Sequence, residues 1–591
     1  MIRFSSALLI SISIAVAANA ATAIRGVRIF DGTRVIEKAN VVFDHGLIIA
    51  AGPNAKIPDG AEIIDGSGKT LVPGLIDSHT HAFGNALERA LRFGVTTELD
   101  MFTSVDLLKQ WRAEQAAGNV TQRADIRSAG TLVTVKGGHG TEYMPIPTYT
   151  PGSDPQVFVD ARIAEGSEYI KLIEETGETF GRPLPTLSAG DLKALIAAAH
   201  KRGKMAVVHI TTLAGARMAI DAGADGLVHI FGDRPPDADF GKFVAAHRVF
   251  VIPTLTVIES ASGTASGASL VTDAHVKPYL AANEISSLKS AFPKHAGPSE
   301  DVVNAKAAVR QLKAAQVPIL AGTDAPNPGT AHGASIHREL ELLVEAGLTP
   351  AEALVAATST PAKIFKLDDR GRIAKGLRAD LLLVNGDPTT NIMATRDIAA
   401  IWRNGARLPR EPEAPSAQME IESLPAEKLA SGLISNFDSG EAKTEFGSGW
   451  MISTDQFAGG KSTATMAVVD GGAAGTPKAL HIVSEINEGF AFPWAGAMTF
   501  FGSQPMRAVD LSSKRGITFY AKGSTPIRVL LFATHIGRIP AQTTVRASAD
   551  WTEITIPWSD FGVDGKDVQA VHFGGVGVGK SEFTIDEVRL K

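Results

Sequence analysis

The sequence predicts an α/β protein: a parallel (β/α)8 TIM barrel, a small composite β-sandwich made by the segments that flank it, and an all-β domain at the C-terminal end. Three observations carry this expectation. Between residues 71 and 367 short apolar runs alternate with helical stretches, eight strands in all. Hairpin-like strands lie before and after that region. From residue 433 onward the chain is a succession of short strands and Gly-rich turns with little helix.

Composition narrows the function classes. A chain of 591 residues exceeds one core, so two or three units are expected. With 20% charged residues, 44% hydrophobic residues and a net charge of −6, it has no electrostatic reason to seek nucleic acid. The chain has no Cys. Disulfides and thiolate metal sites are thereby excluded, and any transition-metal site must draw on His and carboxylates.

Residues 1–23 read as a secretory signal. Arg3 supplies a positive start, residues 7–17 an apolar stretch, and Ala18-Asn19-Ala20 or Ala21-Thr22-Ala23 a small-residue cleavage site. The apolar part is shorter than the ~20 residues that a membrane span requires, and serines interrupt it. Export to the periplasm or the extracellular space is therefore expected.

Residues 24–70 alternate in strand-like pieces, with Asp31-Gly32, His45-Gly46 and Asp65-Gly66 as turns. The same texture returns in residues 368–410, at Leu381-Leu382-Leu383-Val384 and Ile398 to Trp402. Two half-sheets flanking one large segment would pair most simply into one β-sandwich. Within 71–367 the expected strands are 75–81, 94–99, 126–133, 169–173, 205–210, 226–230, 250–253 and 318–322. The clearest helix signal between them starts at Ser188 as N-cap, continues through Leu192, Leu195 and Ile196, and stops at Gly203. In a parallel barrel, ligands and catalytic groups gather where the strands end.

Candidate chemistry sits at those ends. His79 and His81 are two apart on an extended run, so both rings share a face and can point at one ion. Lys171 lies in the fourth strand, His209 in the fifth and His229 in the sixth, and Asp324 closes the eighth. A lysine buried in a strand is expensive to charge, so its neutral amine becomes available; pairing with Glu168 or Glu174 is the plainer alternative. Asp324 could equally serve as a turn or cap residue, since Pro326 and Gly329 follow it.

The ordered set Gly74-Leu75-Ile76-Asp77-Ser78-His79-Thr80-His81, Ile170-Lys171-Leu172, Val208-His209-Ile210, Val228-His229-Ile230 and Ala321-Gly322-Thr323-Asp324 resembles the amidohydrolase superfamily, in its imidazolonepropionase-like and prolidase-like branch. Gly137-Gly138-His139-Gly140 and Ala357-Thr358-Ser359-Thr360-Pro361-Ala362 extend the resemblance, which covers residues 24–410. It implies two divalent ions, most readily zinc, held by His79, His81, a carbamylated Lys171, His209, His229 and Asp324. Zinc lowers the pKa of bound water to ~7 and so supplies hydroxide near neutral pH. Asp324 is the expected catalytic residue, taking the proton and delivering it to the leaving nitrogen. His139, in a Gly-rich loop, and His332, on a helix after Asp324, are candidates for substrate contact.

The resemblance implies hydrolysis of an amide-like bond in a small substrate, a dipeptide or an N-acyl amino acid. Two other readings stay open: a one-metal hydrolase of a cyclic amide or imidazolone ring, with Lys171 uncarbamylated, and a noncatalytic glycan-binding protein. Residues 260–310 exceed what a barrel connection needs; they either cover the site or form a solvated helical excursion. Residues 411–432 read as a linker, and 433–591 as a β-sandwich whose strand order resembles the jelly-roll domains of complex I intermediate-associated protein 30-like proteins and family 11 carbohydrate-binding modules. Trp494, Trp551 and Trp558 are suited either to stacking on sugar or to core packing. Homo-oligomerisation also stays open.

Overall fold

The computed structural model describes residues 21–118, 122–144, 146–179, 183–292, 300–413, 426–429, 432–458, 460–487, 493–536 and 540–591. The expected signal segment lies outside the described residues up to position 20, as does most of the expected linker.

The strands Thr22–Phe30, Val35–Asp44, Leu47–Gly52, Glu62–Asp65 and Lys69–Pro73 join Leu381–Asn385, Ile398–Arg403 and Ala406–Arg407 in one eight-stranded sheet. The two flanking segments thus pair edge to edge within one sheet. Lys69–Pro73 pairs antiparallel with Leu381–Asn385, Leu71 opposite Leu383, so hydrogen bonding runs unbroken across the junction. The physical reason is that each half-sheet ends in a row of unpaired N–H and C=O groups, and edge-to-edge pairing satisfies both rows. One face holds its own core, in which Phe43 meets Trp402 edge-on at 5.7 Å. Gly46 stands at φ 80° in the hairpin turn, where a Cβ would lie 2.7 Å from Asn404 Oδ1. Only glycine permits that approach.

The central region consists of parallel strands separated by helices. Leu75–Thr80, Val95–Asp100 and Asp125–Ser128 form a three-stranded sheet. Ile170–Ile173, Ala206–His209, Gly226–Val228 and Phe250–Ile252 form a four-stranded one. Parallel bridges at Val133 with Leu172, Val251 with Ile319 and Thr80 with Ala325 carry the pairing beyond both sheets. The strands Leu75–Thr80, Val95–Asp100 and Ala206–His209 are buried throughout, as parallel strands covered on both faces must be.

Helix Ala189–Lys201 shows how the covering layer forms. The Ser188 hydroxyl accepts the Asp191 N–H at 3.1 Å, satisfying one of the orphan donors of the first turn. Leu192, Leu195, Ile196 and Ala199 then line the inward face at helical spacing. Burying each of these leucines or the isoleucine contributes about 1.5–3 kcal/mol.

Most of the expected strands are shorter than their apolar runs, and the third and the last show why. The third ends at Ser128 because Gly130 turns into the left-handed region at φ 63°, and the Ser128 hydroxyl accepts the Gly130 N–H at 2.7 Å. The run at 318–322 makes no ladder of its own: it bridges at Ile319, and Ala321 C=O accepts Ser78 N–H at 2.8 Å. Gly322 packs so tightly that a Cβ there would meet His79 Cβ at 2.9 Å.

Part of the 260–310 segment forms helices Ala268–Thr272 and Ala282–Lys289, whose Leu270, Val271 and Leu288 pack with Phe93, Ala331 and Ala334. Arg89 binds Glu284 within that layer. The C-terminal part contains a seven-stranded and a six-stranded sheet. Ile517, Phe519 and Ile585 of one share a core with Val529, Leu531 and Phe573 of the other, Phe519 meeting Phe573 edge-on at 4.9 Å. Trp558 is buried in that core and donates to Leu511 C=O, so it offers no face to a sugar. The Trp551 ring carries Lys522 Nζ 4.6 Å from its centroid.

Candidate metal centre

Five parallel segments deliver side chains to one buried point. His79 and His81 end Leu75–Thr80 and its continuation, Lys171 sits within Ile170–Ile173, and His209 closes Ala206–His209. His229 follows Gly226–Val228, and Asp324 follows the 318–322 run. The rings of His79 and His229 lie 4.6 Å apart, as do those of His209 and His229, and His79 to His81 is 5.4 Å. His81, Lys171, His209, His229 and Asp324 line a common cavity.

Hydrogen bonds to the outer ring nitrogens select which nitrogen faces inward. His81 Nδ1 lies 3.2 Å from Phe102 C=O, which can only accept, so Nδ1 carries the hydrogen and Nε2 keeps a lone pair. That Nε2 stands 3.0 Å from Asp324 Oδ1. His209 Nε2 points to Glu175 Oε2 at 3.5 Å, turning Nδ1 to the cavity side of the pair. His229 Nδ1 bonds Thr254 Oγ1 at 2.7 Å, leaving Nε2. Asp77, missed as a functional residue, ties the first and last segments together: its carboxylate accepts the N–H groups of His79 and Thr323 and the Thr323 hydroxyl.

The donor set fits a divalent cation. His79 Nε2 and Asp324 Oδ1 are buried 3.2 Å apart, and neither has a hydrogen-bond partner among the described residues. With His81 Nε2 also directed at Oδ1, acceptor faces acceptor, an arrangement that a proton or a metal ion must relieve. One ligand atom each from His79, His229 and Asp324 lies within 4.8 Å of the others.

Burial governs the charges here. It depresses His79 to about 3, with Lys171 adding to the effect, and His209 to about 4. His229 falls well below its ordinary value for the same reason. Burial works against the Asp324 carboxylate, but the surrounding histidines more than offset it and hold the group well below the usual range. Burial brings the Lys171 amine down to about 7, opposed by Asp324 and Asp100. Glu168, one of the alternative partners of Lys171, binds Arg112 and Arg127 instead.

His139 lines the cavity, 4.8 Å from the His209 ring. The buried His332 ring is held by the Glu98 carboxylate on Val95–Asp100, its Nδ1 2.9 Å from Oε1. Glu175, Thr254 and Tyr143 were missed as well; Thr254 and Glu175 touch the rings of His229 and His209, and no sequence spacing marks them.

A profile of the amidohydrolase family matches residues 70–408. An imidazolonepropionase of Deinococcus radiodurans is 26% identical over 415 residues, covering 63% of this chain and 93% of the relative. One from Anaeromyxobacter dehalogenans is 28% identical over 401 residues, covering 61% and 86%. A solved structure provisionally assigned as a prolidase from Bifidobacterium longum is 25% identical and covers 68% of this chain and 98% of its own, with a TM-score of 0.53. That of a molinate hydrolase, at 21% identity and a TM-score of 0.53 over 66% of this chain and 95% of its own, is a likeness of fold alone. The profile spans more than half of the sequence, and the chain belongs to the amidohydrolase family.

Proposed function

We propose that this chain is a metal-dependent hydrolase that cleaves an amide-like bond in a small peptide or N-acyl amino acid. Membership of the family supports metal-dependent hydrolysis of carbon–nitrogen bonds. The observation that carries the reading is the convergence of imidazoles, the Lys171 amine and the Asp324 carboxylate on one cavity, with His79 Nε2 and Asp324 Oδ1 unpartnered. The reading takes the two parallel sheets and their bridges as a closed (β/α)8 barrel over residues 71–367, and the two C-terminal sheets as a jelly roll.

His79, His81, Lys171, His209, His229 and Asp324 would hold two divalent ions, most readily zinc. Such ions would polarise a scissile carbonyl and lower the pKa of water to ~7. Lys171, near neutral amine at physiological pH, takes up carbon dioxide as a carbamate, losing one proton and presenting two oxygens. Asp324, ionised, accepts a proton from the attacking water at a carboxylate oxygen and returns it to the leaving nitrogen. His139 meets the substrate from the loop. Export is part of the reading; Ala23 is buried and pairs with Val42, so cleavage after Ala20 keeps strand Thr22–Phe30 whole.

A second reading, a one-metal hydrolase of a cyclic amide, draws on the close trio His79, His229 and Asp324 and on the imidazolonepropionase relatives. Elemental analysis of purified protein separates the two: about two ions per chain supports the first and about one the second. A screen of dipeptides, N-acyl amino acids and cyclic amides then tests the substrate class. Metal-loaded protein that cleaves none of them, while its C-terminal domain retains glycan, would favour the noncatalytic reading.

A further inference from the structure

The loop after Asp125–Ser128 holds a carboxylate–imidazole pair. Glu142 Oε1 lies 2.7 Å from His139 Nδ1, and Glu142 Oε2 accepts the Gly140 N–H at 2.6 Å. The carboxylate therefore grips both the ring and the backbone beside it. The loop is itself tightly turned: Gly138 N–H donates to Val135 C=O at 3.0 Å, and the Thr141 hydroxyl donates to Gly138 C=O at 2.8 Å. A Cβ on Gly138 would lie 2.7 Å from Pro185 C=O, and one on Gly140, at φ 98°, 2.7 Å from the Leu132 side chain. Tyr143 meets the His139 ring edge-on at 5.8 Å. His139 in turn borders the same cavity as Lys171 and Asp324.

We propose that Glu142 is a positioning residue for His139, fixing the hydrogen on Nδ1 and directing Nε2, across the ring, toward the substrate. An ionised carboxylate has no hydrogen to donate, so the hydrogen in the 2.7 Å contact belongs to Nδ1. Because Oε2 is anchored to the loop backbone, the ring turns only if the loop turns with it. This is the logic by which a carboxylate behind a histidine sets its tautomer and orientation in other sites. The inference rests on the reading above, in which this cavity takes the substrate.

The test combines kinetics with a spectrum that needs no turnover. On a substrate found in the screen, Glu142→Ala is expected to lower kcat/KM by roughly 10–100-fold with metal content unchanged. The double variant with His139→Ala should match His139→Ala alone within about twofold, because one residue acts only through the other. Glu142→Gln, which keeps an acceptor for Nδ1–H, should recover part of the loss. In ¹⁵N-imidazole NMR, the His139 signal, assigned by its absence in His139→Ala, should show a protonated Nδ1 that is lost in Glu142→Ala. Additive losses, or an unprotonated Nδ1 in the unaltered protein, would overturn the proposal. If the unaltered protein cleaves no amide, the functional reading fails, and the imidazole spectrum still decides for or against Glu142.

Discussion

Thr254 holds His229 by a single 2.7 Å contact from Oγ1 to Nδ1, and both residues stand in the left-handed region, at φ 51° and 75°. The Thr254 hydroxyl also lies 2.8 Å from Pro253 C=O, to which it donates, so what it offers the ring is a lone pair. Non-glycine residues at such angles cost about 1–3 kcal/mol each, a strain the surrounding packing sustains. The effect is to present His229 Nε2 to the centre.

Thr254→Val keeps the branched shape and removes the acceptor. Metal affinity should fall roughly 10–100-fold, read by competition against a graded series of chelators. Unchanged affinity would show that the ring is held by packing alone.

Asp324→Asn retains the shape of the ligand and removes its basicity. Turnover is expected to drop by about 10²–10⁴ with metal still bound, measured by steady-state kinetics alongside elemental analysis. Full activity would remove Asp324 from proton transfer. Lys171→Ala should cut metal content from about two ions per chain toward one or none; no change would deny the lysine a place among the ligands.

Asp125 sits buried among Arg370, Arg378 and Arg403, joining strand Asp125–Ser128 to the flanking sheet. Removing it leaves guanidinium groups in the interior without their counter-charge. Asp125→Ala should destabilise the fold by about 3–5 kcal/mol, visible as a lowered thermal midpoint. A midpoint within error of the unaltered protein would mean that Asp369 and Asp380 suffice.

His337 is buried with Nε2 3.0 Å from Phe93 C=O and Nδ1 3.0 Å from Thr395 Oγ1. Burial first, and then Arg396, depress it from 6.5 to about 3. The folded state therefore binds fewer protons at this ring than the unfolded chain between about pH 6.5 and 3. Its contribution to stability is complete above pH 6.5 and is lost as the pH falls through that window. Urea unfolding midpoints should decline less steeply toward acid in His337→Gln than in the unaltered chain. Parallel declines would show that the ring does not control this dependence.

The sequence by itself determined the chemistry on offer. The lack of Cys confined any metal site to nitrogen and oxygen donors, and the period of two placed His79 and His81 on one face. The helical spacing of Leu192, Leu195 and Ile196 announced a buried stripe after its Ser188 cap. These features are local, set by strand and helix geometry within a few residues. Only the tertiary structure decided which nitrogen of each ring looks inward, because Phe102, Glu175 and Thr254 reach His81, His209 and His229 from separate parts of the chain. It also sent His332 to Glu98, 234 positions away, and joined the two flanking half-sheets through Leu71 and Leu383. Buried polar groups and sheet edges take whichever partner the packed chain brings within reach, and spacing along the sequence carries no record of that choice.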